Sequence, residues 1–277
     1  MKMIYHLLII CLLLSGCSEL PIHDDADWSF IAMGDVRSGY GTYEKLLNIV
    51  HEIRPKPQFI VITGDLINIP GNVFEWHEFL KITRTIADHL IVFTVVGNHD
   101  VINLETQEIY TRYVRMPGNG CYYSFNHLFF HYIVLDTEVP GETNGIFNDQ
   151  YLWLQTELEA SQGDPGVGAI VIFLHRPLYA FGKNHTWARL INADQLRSLF
   201  ESYSKVRLVI ASHDHEFYYY PINGIMYLVS GGGGAPLPGS SSGMYYHFLK
   251  VGYYGAVNRI NIKTYNALGE KIENIDL

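Results

Sequence analysis

An α/β fold follows from three features of the chain. Apolar runs rich in Ile and Val recur along it, helical patterns separate them, and each run ends in a short polar segment. The runs are residues 28–33, 58–63, 90–96, 169–174 and 206–211. Continuous apolar stretches of this length predict strands covered on both faces. Sheets of this kind bind ligands at the carboxyl ends of their strands, where all five polar segments fall.

The helices are placed between these strands by periodicity. Residues 42–54 carry Leu46, Leu47, Val50 and Ile53 at helical spacing, and residues 73–89 carry Phe74, Trp76, Phe79, Leu80 and Ile86. Further helical patterns cover 104–114, 149–161 and 192–203, and residues 127–136 read as another strand. After His215 the pattern changes to β, with strands expected at 217–220, 225–229, 244–251 and 256–262. The chain has 277 residues, of which 48% are hydrophobic and 17% charged, a globular composition. About 250 residues suffice to bury one sizeable core, and 28–277 reads as a single domain without linker or repeat.

The polar segments carry the chemistry. They are Gly34-Asp35-Val36-Arg37, Gly64-Asp65-Leu66-Ile67-Asn68, Gly97-Asn98-His99-Asp100, His175-Arg176-Pro177 and Ser212-His213-Asp214-His215. Any one of them alone has a structural explanation, because Gly-Asp after a strand is a common turn and helix opening. Together they offer two carboxylates, an amide oxygen and three imidazoles at one edge. Mixed oxygen and nitrogen donors suit Mn, Fe or Zn better than Ca or Mg. One ion needs about four protein ligands, so six donors imply two ions bridged by a carboxylate, the arrangement that clamps an in-line displacement at phosphorus.

In this order the segments GD-x-R, GD-x-x-N, GNHD, H-R-P and S-H-x-H resemble the signature of the calcineurin-like metallophosphoesterase family. The resemblance runs from about Phe30 to His215. It implies a two-sheet β-sandwich flanked by helices in four αββα layers, and a metal-dependent phosphoester hydrolase whose dinuclear centre activates water for attack on phosphorus. Asp35, Asp65 and His215 would hold the first metal, with Asp65 bridging, and Asn98, His175 and His213 the second. His99 resembles the family's non-ligand histidine that protonates the leaving oxygen, with Asp100 orienting it. Arg37 departs from the pattern, since the family usually has a ligand histidine there. A guanidinium has no lone pair to offer, so Arg37 is expected to contact substrate phosphate instead. Ser212 replaces the usual Gly, a small-for-small change. The incomplete first site keeps an alternative open, a catalytically weak or inactive lipoprotein of the same fold that binds or scaffolds.

The N-terminus suggests a compartment. Lys2 precedes a short apolar core at 7–14, and Leu14-Ser15-Gly16-Cys17 resembles a bacterial lipobox. The run is too short to span a membrane. Residues 1–16 are therefore expected to be a lipoprotein signal peptide, Cys17 a lipidated anchor, and 17–27 a polar tether. The expected place is the bacterial cell envelope. Of the three cysteines, Cys11 lies in the signal and Cys17 would carry lipid, which leaves Cys121 without a disulfide partner in the domain. A formal net charge of −9 and the absence of a basic run argue against nucleic-acid binding and leave a small phosphorylated substrate as the expected partner. Residues 231–234, four glycines, lack the Lys-Ser or Lys-Thr of a phosphate loop and read as a flexible loop near the metals. The 20 tyrosines are explained mostly by packing across strands.

Overall fold

The five apolar runs become β1 (Trp28–Met33), β2 (Phe59–Ile62), β3 (Ile91–Thr94), β6 (Ala169–Phe173) and β7 (Val206–Ala211). These positions come from a computed structural model, which describes residues 22–87, 90–179, 189–239 and 243–277. The expected signal peptide and Cys17 lie outside the described residues. The other strands are β4 (Tyr123–His127), β5 (Phe130–Val134), β8 (Phe217–Ile222), β9 (Ile225–Ser230), β10 (His247–Tyr254), β11 (Arg259–Asn266) and β12 (Lys271–Asp276). The helices are α1 (Tyr40–Glu52), α2 (Val73–Ala87), α3 (Leu104–Tyr113), α4 (Asn148–Gly163) and α5 (Ala193–Glu201).

Two six-stranded mixed sheets result, in the orders β12-β11-β10-β1-β2-β3 and β4-β5-β6-β7-β9-β8. The strands are apolar throughout because both faces of each sheet are covered. Phe30 and Ala32 point into the layer between the sheets, while Ile31 and Met33 face outward onto the helices with Leu46, Val50, Trp76 and Tyr110. On the other sheet Val171 and Phe173 face inward, and Ile170 and Ile172 face Leu154 and Phe200 of α4 and α5. Aromatic rings join the sheets: Phe30 stacks on Phe59 at 5.0 Å, and Phe59 meets Tyr132 edge-on at 5.2 Å. Helix, sheet, sheet and helix form the four layers expected.

β1, β2 and β3 run parallel in one sheet, and β5, β6, β7 and β9 in the other. Their carboxyl ends therefore collect the polar segments. The single strand read over 127–136 is instead a hairpin, because Leu128 takes the left-handed backbone (φ 54°) and turns β4 into β5. The edge strand β12 escaped the reading, since its residues are mostly exposed and leave no long apolar run.

The described part of the expected tether is not loose. His23 forms a bridge with Arg54. The Asp24 side chain is buried, accepts from Lys250 and Lys263 at 2.7 Å each, and also accepts from the Tyr254 hydroxyl. Residues 22–27 thus belong to the domain, because a buried carboxylate with two ammonium partners fixes the segment on β10 and β11.

Candidate metal centre and active site

Asp35 and Asp65 follow β1 and β2, and His213 follows β7; all three have left-handed backbone, with φ 57°, 55° and 71°. Non-glycine residues seldom take this conformation, and where they do it concentrates at functional sites. It turns each side chain out of its strand toward the same point. The Gly before Asp65 is required by the same crowding: a Cβ on Gly64 would lie 2.5 Å from His175 Nδ1.

The two carboxylates and His175 bring ligand atoms within 4.8 Å of one another, all of them buried. His175 Nε2 is 3.3 Å from Asp65 Oδ1 and 3.1 Å from Asn98 Oδ1, and His213 Nδ1 lies 3.2 Å from His175 Nε2. On the other side of the cluster His215 Nε2 is 3.4 Å from Asp35 Oδ1. All six expected ligands are therefore drawn together. Backbone carbonyls fix the imidazoles: His175 Nδ1 faces Thr63 O at 2.9 Å and His215 Nδ1 faces Pro236 O at 2.7 Å. A carbonyl can only accept, so each Nδ1 carries a proton, and in the neutral ring each Nε2 keeps its lone pair for the cluster.

Charge is balanced locally. Burial alone would raise the Asp65 carboxyl, but His175, His99 and Arg37 around it hold it well below the usual carboxylate range. Asp35 Oδ2 accepts from His213 N–H at 2.8 Å, whereas its buried Oδ1 has no hydrogen-bond partner among the described residues. An unpartnered buried carboxylate oxygen facing imidazole lone pairs is what a cation satisfies. The donor set thus fits the implied metals.

Arg37 donates from Nε to Asp65 Oδ2 and from Nη1 to Asn68 Oδ1, both at 2.9 Å. It stands at the edge of the cluster, held by the expected bridging carboxylate. His99 also belongs here: its N–H donates to Asp65 Oδ1 at 3.0 Å, and its Nδ1 donates to Asn68 O at 2.7 Å. Asp100 departs from expectation, because it does not orient His99. Its Oδ1 accepts from Leu66 and Ile67 N–H, and its Oδ2 from Gly97 N–H. The fully buried carboxylate is consumed in tying the turns after β2 and β3 together, and Asn68 O takes the orienting role.

Residues 231–234 are not a flexible loop. They are buried in a wall behind Asp35, where a Cβ on Gly231 would lie 2.7 Å from Asp35 Oδ2 and 2.1 Å from Asp214 O. Sequence reasoning also passed over Arg176 and Glu138. Arg176 Nε donates to Glu138 Oε1 at 2.6 Å, and its Nη1 reaches His213 Nε2 at 3.2 Å. The position of Arg176 within H-R-P was the available signal for the first; a lone Glu after β5 offered none for the second.

The fold is shared with known phosphatases. The chain is 28% identical over 247 residues to the phosphoenolpyruvate phosphatase of Allium cepa, covering 81% of this chain and 48% of that one, so it spans about half the length of that relative. It superposes on a purple acid phosphatase from Lupinus luteus with a TM-score of 0.71 at 17% identity, over 90% of this chain and 53% of that one. A dimetal phosphatase from Danio rerio gives a TM-score of 0.68 at 16% identity, over 91% and 99% of the two chains. The calcineurin-like phosphoesterase family matches residues 23–217, a span that holds all six expected ligands together with Arg37, His99, Asp100, Glu138 and Arg176, and the chain belongs to that family.

Proposed function

We propose that the chain hydrolyses a small phosphorylated substrate at a dinuclear centre held by Asp35, Asp65, Asn98, His175, His213 and His215. The observation that carries this reading is the inward-facing set of lone pairs, with Asp35 Oδ1 unpartnered and two imidazoles locked in the ligand tautomer. Bound cations of the Mn, Fe or Zn class would supply Lewis acidity and a water of lowered pKa. The protein's own groups do the rest. With Nδ1 tied to Asn68 O, His99 offers Nε2 as the proton donor to the leaving oxygen. Arg37, fixed by Asp65 and Asn68, keeps its Nη2 amino group for a phosphoryl oxygen. The name of the onion relative supports a small phosphorylated substrate. Residues 1–17 support attachment to the bacterial envelope through a lipidated Cys17.

A binding or scaffold role is the second reading. The Arg37–Asp65 pair at 2.9 Å favours it, since it neutralises the carboxylate that would bridge the cations. Metal content of the purified protein separates the two. The hydrolase reading expects about two equivalents, turnover of an aryl phosphate, and loss of both in Asp65→Ala. One equivalent or none, without turnover, selects the scaffold.

A further inference from the structure

Away from the six expected ligands, a second cavity gathers acceptors in excess of donors. It lies among the chain after β5, the first turn of α4, α3 and the turn ahead of β4, and is lined by Asp136, Glu142, Asp149, Gln107, Asn119 and Tyr122. Its volume is about 220 Å³. A single water needs only roughly 10–15 Å³, so a larger guest fits. The three carboxylates stand at different depths, with Asp136 fully buried, Glu142 half-buried and Asp149 exposed.

Asp136 is the informative member. Gln150 pins its backbone, accepting from its N–H and donating to its carbonyl at 2.8 Å each, and Asp136 Oδ1 accepts from the Glu138 N–H at 2.8 Å. The carboxylate therefore has a set direction. Its buried Oδ2 has no hydrogen-bond partner among the described residues. A buried carboxylate oxygen without a partner costs free energy that a cationic donor in the cavity would recover. The lining amides are already engaged: Gln107 Nε2 reaches Cys121 Sγ at 3.5 Å, and Asn119 Oδ1 accepts from the N–H groups of Cys121 and Tyr122. Burial first, then Asp149, Asp136, Cys121 and Glu142, push the Tyr122 phenol above its ordinary value, so the three acids surround one ring at the cavity wall.

The spacing of the acids decides the kind of cation. Among the described residues, three metal-ligating atoms gather within 4.8 Å at Asp35, Asp65 and His175, but not at Asp136, Glu142 and Asp149. These acids are too widely spaced to chelate one bare ion. A primary ammonium carries three N–H donors, and an alkyl chain can set a second one apart from the first. We propose that this cavity binds a small organic ammonium compound, whose charged group donates to Asp136 Oδ2 while Glu142 and Asp149, nearer solvent, balance the remaining charge. The formal net charge of −9 favours the approach of such a cation.

Calorimetry of the full chain with 1,4-diaminobutane tests this. Wild type should bind the diamine. Asp136→Asn, whose Oδ1 can still accept from Glu138, should bind it about 10- to 150-fold more weakly, the factor of one charge-assisted hydrogen bond. Should Asp136→Asn unfold, the Glu142→Gln/Asp149→Asn double variant, confined to the less buried members, carries the test with a loss of about 2- to 30-fold, the worth of two exposed ion pairs. 1,4-Butanediol, of the same length without the charge, should not bind. No binding of the diamine to wild type, or an affinity that the variants leave unchanged, overturns the site. Equal binding of the diol, or Ca²⁺ binding where the diamine does not, overturns the ligand class.

Discussion

His99 and Arg37 are held by the same residue, Asn68, through its backbone oxygen and its side-chain oxygen. The turn after β2 therefore sets the spacing between the candidate acid and the candidate phosphate donor. His99→Ala should keep its cations and lose about 10²–10⁴ in kcat on alkyl esters, the usual worth of a general acid. The loss should shrink on aryl phosphates, which leave without a proton; equal losses on both would remove the acid role. Arg37→Ala should lower kcat/KM by about 10- to 150-fold at saturating metal, the factor of one charge-assisted hydrogen bond. Because the same change frees Asp65 Oδ2, metal titration should also show tighter cation binding in the variant. Unchanged kinetics would make Arg37 a spectator of the reaction. At this scale the six donors were legible because each follows an apolar run as a short polar word. The partner of Asp100 was not, since a neighbour in sequence suggested His99, whereas the fold delivered three backbone N–H groups from two turns.

Between elements, the segment ahead of β1 is fastened by a buried charge cluster. Burial alone would raise the Asp24 carboxyl, but Lys250, Lys263 and Tyr254 hold it well below its ordinary value of 3.8. A carboxyl lowered in the folded state stabilises fully above its unfolded pKa, and that contribution fades as pH falls through and below it. Asp24→Asn should therefore cost about 3–5 kcal/mol at pH 7, as breaking a buried pair does. The difference from wild type should persist to about pH 5 and shrink in stronger acid. Denaturant titrations at several pH values check this; a difference that grew on acidification would contradict it. Periodicity revealed the helices and the apolar strands well, because both faces of each sheet are covered. It missed β12, the β4–β5 turn and the docking of residues 22–27, all of which depend on partners distant in sequence.

For the whole molecule, the acidic balance of −9 coexists with a site that gathers Arg37 and Arg176 around its carboxylates. Local cations, rather than overall charge, would receive a phosphorylated substrate. If Cys17 carries lipid, Cys17→Ala should move the protein from the membrane to the soluble fraction with kcat/KM unchanged. Continued sedimentation with membranes would exclude that anchor. The Asp24 clamp and the candidate metal cluster lie at opposite ends of β1, whose six residues span roughly 20 Å. Tension arriving along the N-terminal segment would load the Lys250 and Lys263 contacts before it reached β1. The clamp would thus act as a strain relief, with the candidate cluster at the far end of β1 from the side on which the chain would be tied down.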